Sequence, residues 1–214
     1  MERAEGIDVN RYHPVTDWEL LLNAGLAFFG AKATQGNTYV DPTFRDHRDG
    51  FRRFPFVLGC WYHFATPGDP VRQAQHLLDT AGELHDNERL ALDVEGDAAP
   101  DVPWIESFVG ELLRAWPDRR PLIYTSARIW RDVLKGPDWP AAIATDLWAP
   151  RYGPDEPKLP ADLQGFPIWP RWSFWQHTDH RTTPGVDGPC DGNLFRGTIG
   201  ELKLYAKLAG LTAA

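Results

Sequence analysis

Leu90-Ala91-Leu92-Asp93-Val94-Glu95-Gly96 decides how this 214-residue chain is read. Side chains alternate across a strand, so Leu90, Leu92 and Val94 share one face while Ala91, Asp93 and Glu95 share the other. An apolar face backed by one that ends in two carboxylates suits a strand packed on helices outside and opening into a polar site inside. Two carboxyl groups this close do not ionise independently, and one keeps its proton to a higher pH. A proton-holding acid beside an ionised carboxylate is the minimum equipment for cleaving a glycosidic bond. A solvated strand edge or a cation site is the plainer reading of such a strand end.

Outward from this stretch, short apolar runs alternate with helical patterns. Strands are expected at Gly6–Asn10, Leu26–Ala33, Phe56–Phe64, Leu90–Glu95, Pro121–Thr125, Asp146–Pro150, Phe174–His177 and Cys190–Leu194. Thr16-Asp17-Trp18-Glu19 reads as a capping box opening a helix that stops near Gly25. Asp69-Pro70 is an N-cap followed by proline at the first helical position. Further helices are expected over about Val102 to Trp116, after Ser126, and from about Thr198 to Leu208. The proline-rich stretch from Ala149 to Trp172 shows no helical period and is expected to join late strands by loops. Eight strands with about five helices, most of them early, point to an α/β fold: a single-domain β/α barrel over residues 1–214 with an incomplete helical ring. A doubly wound open sheet is the rival, and the strand count favours the barrel.

In a β/α barrel the strand C-terminal ends build the active site. Ile7 and Val9 are apolar, so Asp8 points the other way; Asp191 and Asn193 share a face against Leu194. First and last strands are neighbours in a closed barrel, which puts Asp8 beside Asp191, with Asp93 and Glu95 across the mouth. Tyr62, Phe64, Tyr124, Trp148 and Gln176 are the other inward candidates, and Lys32 is placed to reach the mouth. Buried acids without partners are costly, so four clustered beside aromatic groups describe a sugar-cleaving cleft better than a core. Competing motifs are absent: there is no Gly-x-Ser-x-Gly elbow, phosphate loop or dinucleotide fingerprint. His177, Asp179 and His180 invite a metal reading, but such a turn is more often surface. His63 alternates outward, as a packed histidine rather than a base.

Composition narrows the partners. Hydrophobic residues make up 43% and charged residues 24%, ordinary for a folded soluble protein, while aromatic residues reach 13% with ten tryptophans. Tryptophan suits stacking on sugar rings, although several are expected simply to fill the core. The net charge of −8 and the lack of a basic stripe argue against nucleic acid. An anionic polymer would be gripped by stacking and hydrogen bonds, with little long-range attraction. Cys60 and Cys190 fit no zinc spacing and are expected as buried free thiols. Polar residues lead straight into the first strand with no signal peptide or transmembrane run, so an enzyme acting outside the cell would be secreted by another device, trimmed of its leader, or released as a phage-type endolysin. A monomer without metal, cofactor or membrane contact is expected.

The chain resembles glycoside hydrolase family 25, the Chalaropsis-type lysozymes (N-acetylmuramidases). The likeness runs through Gly6-Ile7-Asp8-Val9-Asn10, Asp17-Trp18, Lys32-Ala33-Thr34, Asp41-Pro42-x-Phe44, Tyr62-His63-Phe64, Gln73-Ala74 and Leu92-Asp93-Val94-Glu95. It continues through Ile123-Tyr124-Thr125-Ser126, Leu147-Trp148, Trp172-x-Phe174-Trp175-Gln176 and Asp191-x-Asn193, in order and over nearly the whole chain. The resemblance implies an irregular eight-stranded barrel with about five helices. It also implies hydrolysis of the β-1,4 bond between N-acetylmuramic acid and N-acetylglucosamine in peptidoglycan. It implies Glu95 as general acid/base, Asp93 as nucleophile or as positioner of the substrate acetamido group, and Asp8 and Asp191 as flanking acids. Tyr62, Tyr124, Trp148 and Gln176 are implied as cleft residues. Gln35, Gly192 and Pro150 depart from the family pattern and bear on subsite shape more than chemistry. A catalytically silent sugar-binding module on the same scaffold is the alternative, and the intact acids speak against it. A chitinase-like glycosidase is another, but its Asp-x-x-Asp-x-Asp-x-Glu pattern fails at Glu88 and Ala91.

Overall fold

The computed structural model describes residues 2–136, 138–139, 144–152 and 169–208, and eight of its strands close into a barrel. In chain order the strands are β1 (Glu5–Val9), β2 (Phe28–Gln35), β3 (Tyr39–Val40), β4 (Leu58–Phe64), β5 (Glu88–Asp93), β6 (Leu122–Tyr124), β7 (Asp146–Pro150), β8 (Phe174–Thr182) and β9 (Pro189–Phe195). From β1 through β2, β4, β5, β6 and β7 to β8 every pairing is parallel. β9 closes the ring antiparallel to both β8 and β1. The two-residue β3 hangs on the end of β2 and is not a barrel stave.

The antiparallel β9 alters how one acid reaches the mouth. Asp191 stands near the start of β9, not its end, and is level with Asp8 because the strand runs downward from the mouth. Alternation along β5 follows the expected faces: Leu90, Leu92 and Val94 pack outward among helix side chains such as Leu77, Ile105 and Phe108. Ala91 turns inward, into a second apolar layer with Phe28, Leu58, Leu122 and Phe174. That layer is floored by Leu202 and Ala206 of α5 (Ile199–Leu208). Among the described residues the barrel is therefore filled with apolar side chains below and opens into a polar pocket above.

The helices carry readable start signals. The capping box expected over Thr16–Glu19 gives way to a one-residue shift: Asp17 caps α1 (Trp18–Asn23) by accepting from the Glu19 and Leu20 N–H groups, while the Thr16 hydroxyl donates to Gly185 O, a cap worth about 1 kcal/mol. Asp69 and Asp101 cap α3 (Pro70–Ala81) and α4 (Val102–Ala115), both with proline in the first turn. The helix expected after Ser126 is a short turn ending in a π-helical stretch, Ile129–Val133. A sixth helical element, α2 (Phe44–Arg53), was not expected from the sequence. Its stripe is only Phe44, His47, Gly50 and Phe51 in a charged run, and Gly50 is there because Trp18 crosses it: a Cβ would fall 2.0 Å from the Trp18 ring.

Most of the loop expected between β7 and β8, residues 153–168, lies outside the described residues. Of the ten tryptophans only Trp148 lines the barrel mouth; Trp61, Trp130, Trp139, Trp169, Trp172 and Trp175 are buried core. Cys60 and Cys190 are buried free thiols.

Candidate active site

The strand ends build the site in register. Parallel pairing sets Phe64 beside Asp93 and Asp93 beside Tyr124. Tyr124 is beside Trp148 in turn, and the antiparallel seam puts Asp8 opposite Asp191. A pocket of about 220 Å³ results, lined by Asp8, Lys32, Tyr62, Asp93, Glu95, Tyr124, Trp148, Gln176 and Asp191. These nine residues and Phe64, the ten placed at the mouth from the sequence, thus meet in one place. Glu95 corrects one expected boundary: β5 ends at Asp93, and Glu95 stands two residues further on, in the loop.

Two local devices aim these side chains. A register shift between Lys32 and Thr34 makes a bulge in β2. It leaves Lys32 inward while Thr34 turns outward to hydrogen-bond His63 Nδ1 at 2.8 Å. Gly30 leaves room for the acid: a Cβ there would sit 2.9 Å from Asp8 Cβ and 3.3 Å from the Trp148 ring. His63 is wholly buried, also bonded to Gln73 at 3.0 Å, and burial holds it neutral with its pKa lowered to about 4. It is a structural histidine.

Asp8 sits in a net of donors. Gln176 Nε2 and Asn193 Nδ2 both donate to Asp8 Oδ2, at 2.9 and 2.7 Å. Tyr124 donates to Gln176 Oε1 at 2.7 Å, and the Trp148 indole to Asn193 Oδ1 at 2.7 Å. Burial raises the Asp8 pKa, and the three hydrogen bonds from Gln176, Asn193 and Asp191 oppose it. Asp191 is pushed up to about 8 by burial, then by the nearby Asp8 charge and the hydrogen bond to it. In this pair Asp191 keeps the proton and Asp8 stays the carboxylate.

Asp93 and Glu95 form the second pair. Asp93 is raised well above the usual carboxylate range, first by burial and then by the Glu95 charge. Glu95 is raised by burial, and Lys32 draws both back down. Asp93 Oδ1 is buried with no hydrogen-bond partner among the described residues. An orphaned acceptor of this kind costs about 1–3 kcal/mol and marks a place for a donor from outside the chain.

Two pocket residues were not assigned to the site from the sequence: Asn10 and Tyr152. Asn10 continues the alternation from Asp8, and Tyr152 continues it from Trp148 past Pro150, so the period-two signal ran on beyond the strands. Asn193, read as sharing the Asp191 face, is fully buried beneath Asp8 and holds it from below. The metal reading of His177, Asp179 and His180 gains nothing: among the described residues no three His, Cys, Asp or Glu side chains are grouped to hold an ion.

A closed, mostly parallel barrel with paired acids at its mouth has the layout of a glycoside hydrolase. Comparison with known proteins gives the family. The family model described as Glycosyl hydrolases family 25 matches residues 7–186. Lysozyme M1 of Streptomyces globisporus is 29% identical over 94% of this chain and 71% of its own. N,O-diacetylmuramidase of Chalaropsis sp is 28% identical over 94% of this chain and 98% of its own. Among solved structures, the bacterial lysozyme from Streptomyces coelicolor superposes with a TM-score of 0.83 at 25% identity, over 98% of this chain and 99% of that one. The muramidase from Acremonium alcalophilum gives 0.81 at 27%, over 96% and 99%. The chain belongs to Glycosyl hydrolases family 25 and is a glycoside hydrolase of the lysozyme family.

Proposed function

We propose that this enzyme hydrolyses the β-1,4 bond between N-acetylmuramic acid and N-acetylglucosamine in peptidoglycan, with net retention. Glu95 is the general acid/base and Asp93 its partner. The observation that carries this reading is the buried, partnerless Asp93 Oδ1 beside the half-buried Glu95. The lysozyme and muramidase names of the relatives supply the substrate class.

Before substrate docks the two acids share a proton, and deeper burial favours placing it on Asp93. A substrate acetamido N–H donating to Asp93 Oδ1 stabilises the Asp93 carboxylate, so the proton passes to Glu95 as the sugar docks. Glu95 then protonates the glycosidic oxygen as the bond to the anomeric carbon breaks. The acetamido carbonyl oxygen closes on that carbon, and the Asp93 carboxylate holds the N–H of the cationic ring so formed. Water attacks the anomeric carbon from the vacated side, gives a proton to Glu95, and the ring reopens. The ionised Asp8 adds a fixed negative charge to the pocket in which positive charge develops on the sugar.

Digestion of purified peptidoglycan with mass spectrometry of the products tests the reading. Fragments with muramic acid at the reducing end are expected. Glucosamine reducing ends would replace it with a different glycosidase, and undigested wall would favour a silent binding module.

A further inference from the structure

Beyond the acid pocket the structure holds a second, wider groove of about 440 Å³, continuous with the first through Asn10 and Lys32. Its walls are the turn after β1 and the β2–β3 turn. The first of these is rigid. Tyr12 N–H donates to Asn10 Oδ1 at 2.9 Å, Arg11 N–H to the buried Asp41 Oδ2 at 3.2 Å, and His13 N–H to Asn10 O at 3.0 Å. This turn presents the Arg11 guanidinium over the Tyr12 ring, 4.6 Å from its centre, with the Tyr39 ring 5.7 Å away on the other wall. One Arg11 nitrogen is taken by the Tyr12 hydroxyl at 2.5 Å, and the side chain makes no ion pair among the described residues. Lys32, held by Gln35 Oε1 at 2.7 Å, stands at the junction of the two grooves.

In a chain of net charge −8 this groove is therefore a local exception: two cations against the one carboxylate of Asp41, with aromatic faces and amides between them. A guanidinium stacked on one ring and flanked by another is pre-organised, and the donors that the Tyr12 and Tyr39 hydroxyls do not take suit a carboxylate. A neutral sugar strand offers it acceptor oxygens but leaves its charge unmatched. We infer that this groove is a carboxylate-reading subsite, in which Arg11 recognises the acidic substituent on a glycan strand bound across both grooves. The inference rests on the proposed peptidoglycan reading and adds to it a reason to prefer strands bearing carboxylates over neutral β-1,4 glycans. The carboxylate belongs either to the lactyl ether of a stripped muramic acid or to the peptide attached there.

Three substrates separate the possibilities: strands with their peptides, strands stripped of peptide by an amidase, and stripped strands whose lactyl carboxylate has been reduced to the alcohol. Arg11 is exposed, so Arg11→Gln is expected to fold as wild type does. On carboxylate-bearing strands the variant should lose about 5- to 10-fold in kcat/KM, chiefly through KM, as befits one charge-assisted contact at a solvated site. The gap between variant and wild type should shrink below about twofold on the reduced strands, while Arg11→Lys recovers part of the loss. Wild-type KM on the anionic strands should also rise with salt. A gap confined to peptide-bearing strands assigns the carboxylate to the peptide, and one persisting on stripped strands assigns it to the lactyl group. An equal loss on all three substrates overturns the inference while leaving the peptidoglycan reading intact. A wild-type enzyme that cleaves none of them overturns both.

Discussion

Asn193 and Asp8 are locked in one donor–acceptor sense. The Trp148 indole N–H can only donate and takes Asn193 Oδ1, so the Asn193 amide must turn its NH₂ to Asp8 Oδ2 at 2.7 Å. Asp8 Oδ2 is thereby fixed as an acceptor, and the hydrogen bond shared with Asp191, which lowers the Asp8 pKa and raises that of Asp191, runs from Asp191 to Asp8. The orientation of the amide that holds Asp8 thus follows from Trp148.

Replacing Asn193 with leucine should move the acidic side of the pH–rate profile. The variant removes one donor from Asp8 and leaves burial, which raises its pKa, less opposed. If the reaction needs the Asp8 carboxylate, the acidic limb of kcat/KM shifts to higher pH. The buried Trp148 N–H loses its partner, so stability should also fall by about 1–3 kcal/mol. Melting curves separate this cost from the shift. An acidic limb in its wild-type place would mean that Asp8 need not be ionised.

Stability should fall as pH rises above neutrality. Asp191 titrates at about 8 in the fold against about 3.9 in an unfolded chain. The folded state thus holds the proton that the unfolded state has lost, and stability declines across that window. His47 and His63, both lowered to about 4 by burial, work the other way, but only below their unfolded value of about 6.5. Between pH 6.5 and 8 the acids act without that compensation, so Tm is expected to drop. Asp191→Asn keeps a donor for Asp8 without a titrating proton, and its Tm should drop less over the same interval. Equal drops in the two proteins would remove Asp191 as the cause.

Glu95→Gln should cost activity without costing the fold. Glu95 makes no structural hydrogen bond among those described and is half-buried, so stability should stay within about 0.5 kcal/mol. Loss of the transferable proton should lower kcat by about 10²- to 10⁴-fold. Turnover above half of wild type at every pH would falsify the assignment of Glu95 as the acid.

Much of this was legible because the barrel obeys period two. Leu90, Leu92 and Val94 against Ala91, Asp93 and Glu95 put two acids on one face, and the same alternation in the first and last strands put Asp8 and Asp191 beside them. What it lacked was long-range partnership. The direction of β9 is set by the β8–β9 hairpin rather than by anything in Asp191 or Asn193 themselves. Helix α2 was hidden because Gly50 answers to Trp18, thirty-two residues away, and not to its own helix. Arg11 was hidden in a global charge of −8, since charge summed over a sequence has no position. The tryptophans were ambiguous for a similar reason: one flat apolar side chain serves a core and a sugar equally well, and only the fold assigns each.

The stereochemistry of the product tests the proposed division of labour between Asp93 and Glu95. An inverting enzyme holds its two carboxyl groups roughly 6.5–9.5 Å apart, on opposite faces of the sugar, to leave room for water. Here the two acids are two residues apart, one ending β5 and the other on the loop leaving it, and both open into the same pocket. From one strand end, Asp93 reaches the acetamido group beside the scissile bond more readily than the opposite sugar face. Retention through the acetamido oxygen is therefore expected, with the β anomer formed first when a soluble glycan fragment is followed by NMR. An α anomer appearing first would rule out both retaining routes. Given retention, a fragment lacking the N-acetyl group at the cleaved sugar should react at least 10²-fold more slowly, since it forfeits an intramolecular nucleophile worth several kcal/mol. Cleavage of that fragment at the normal rate would instead make an aspartate the nucleophile and leave the partnerless Asp93 Oδ1 to attack carbon rather than to accept a hydrogen bond.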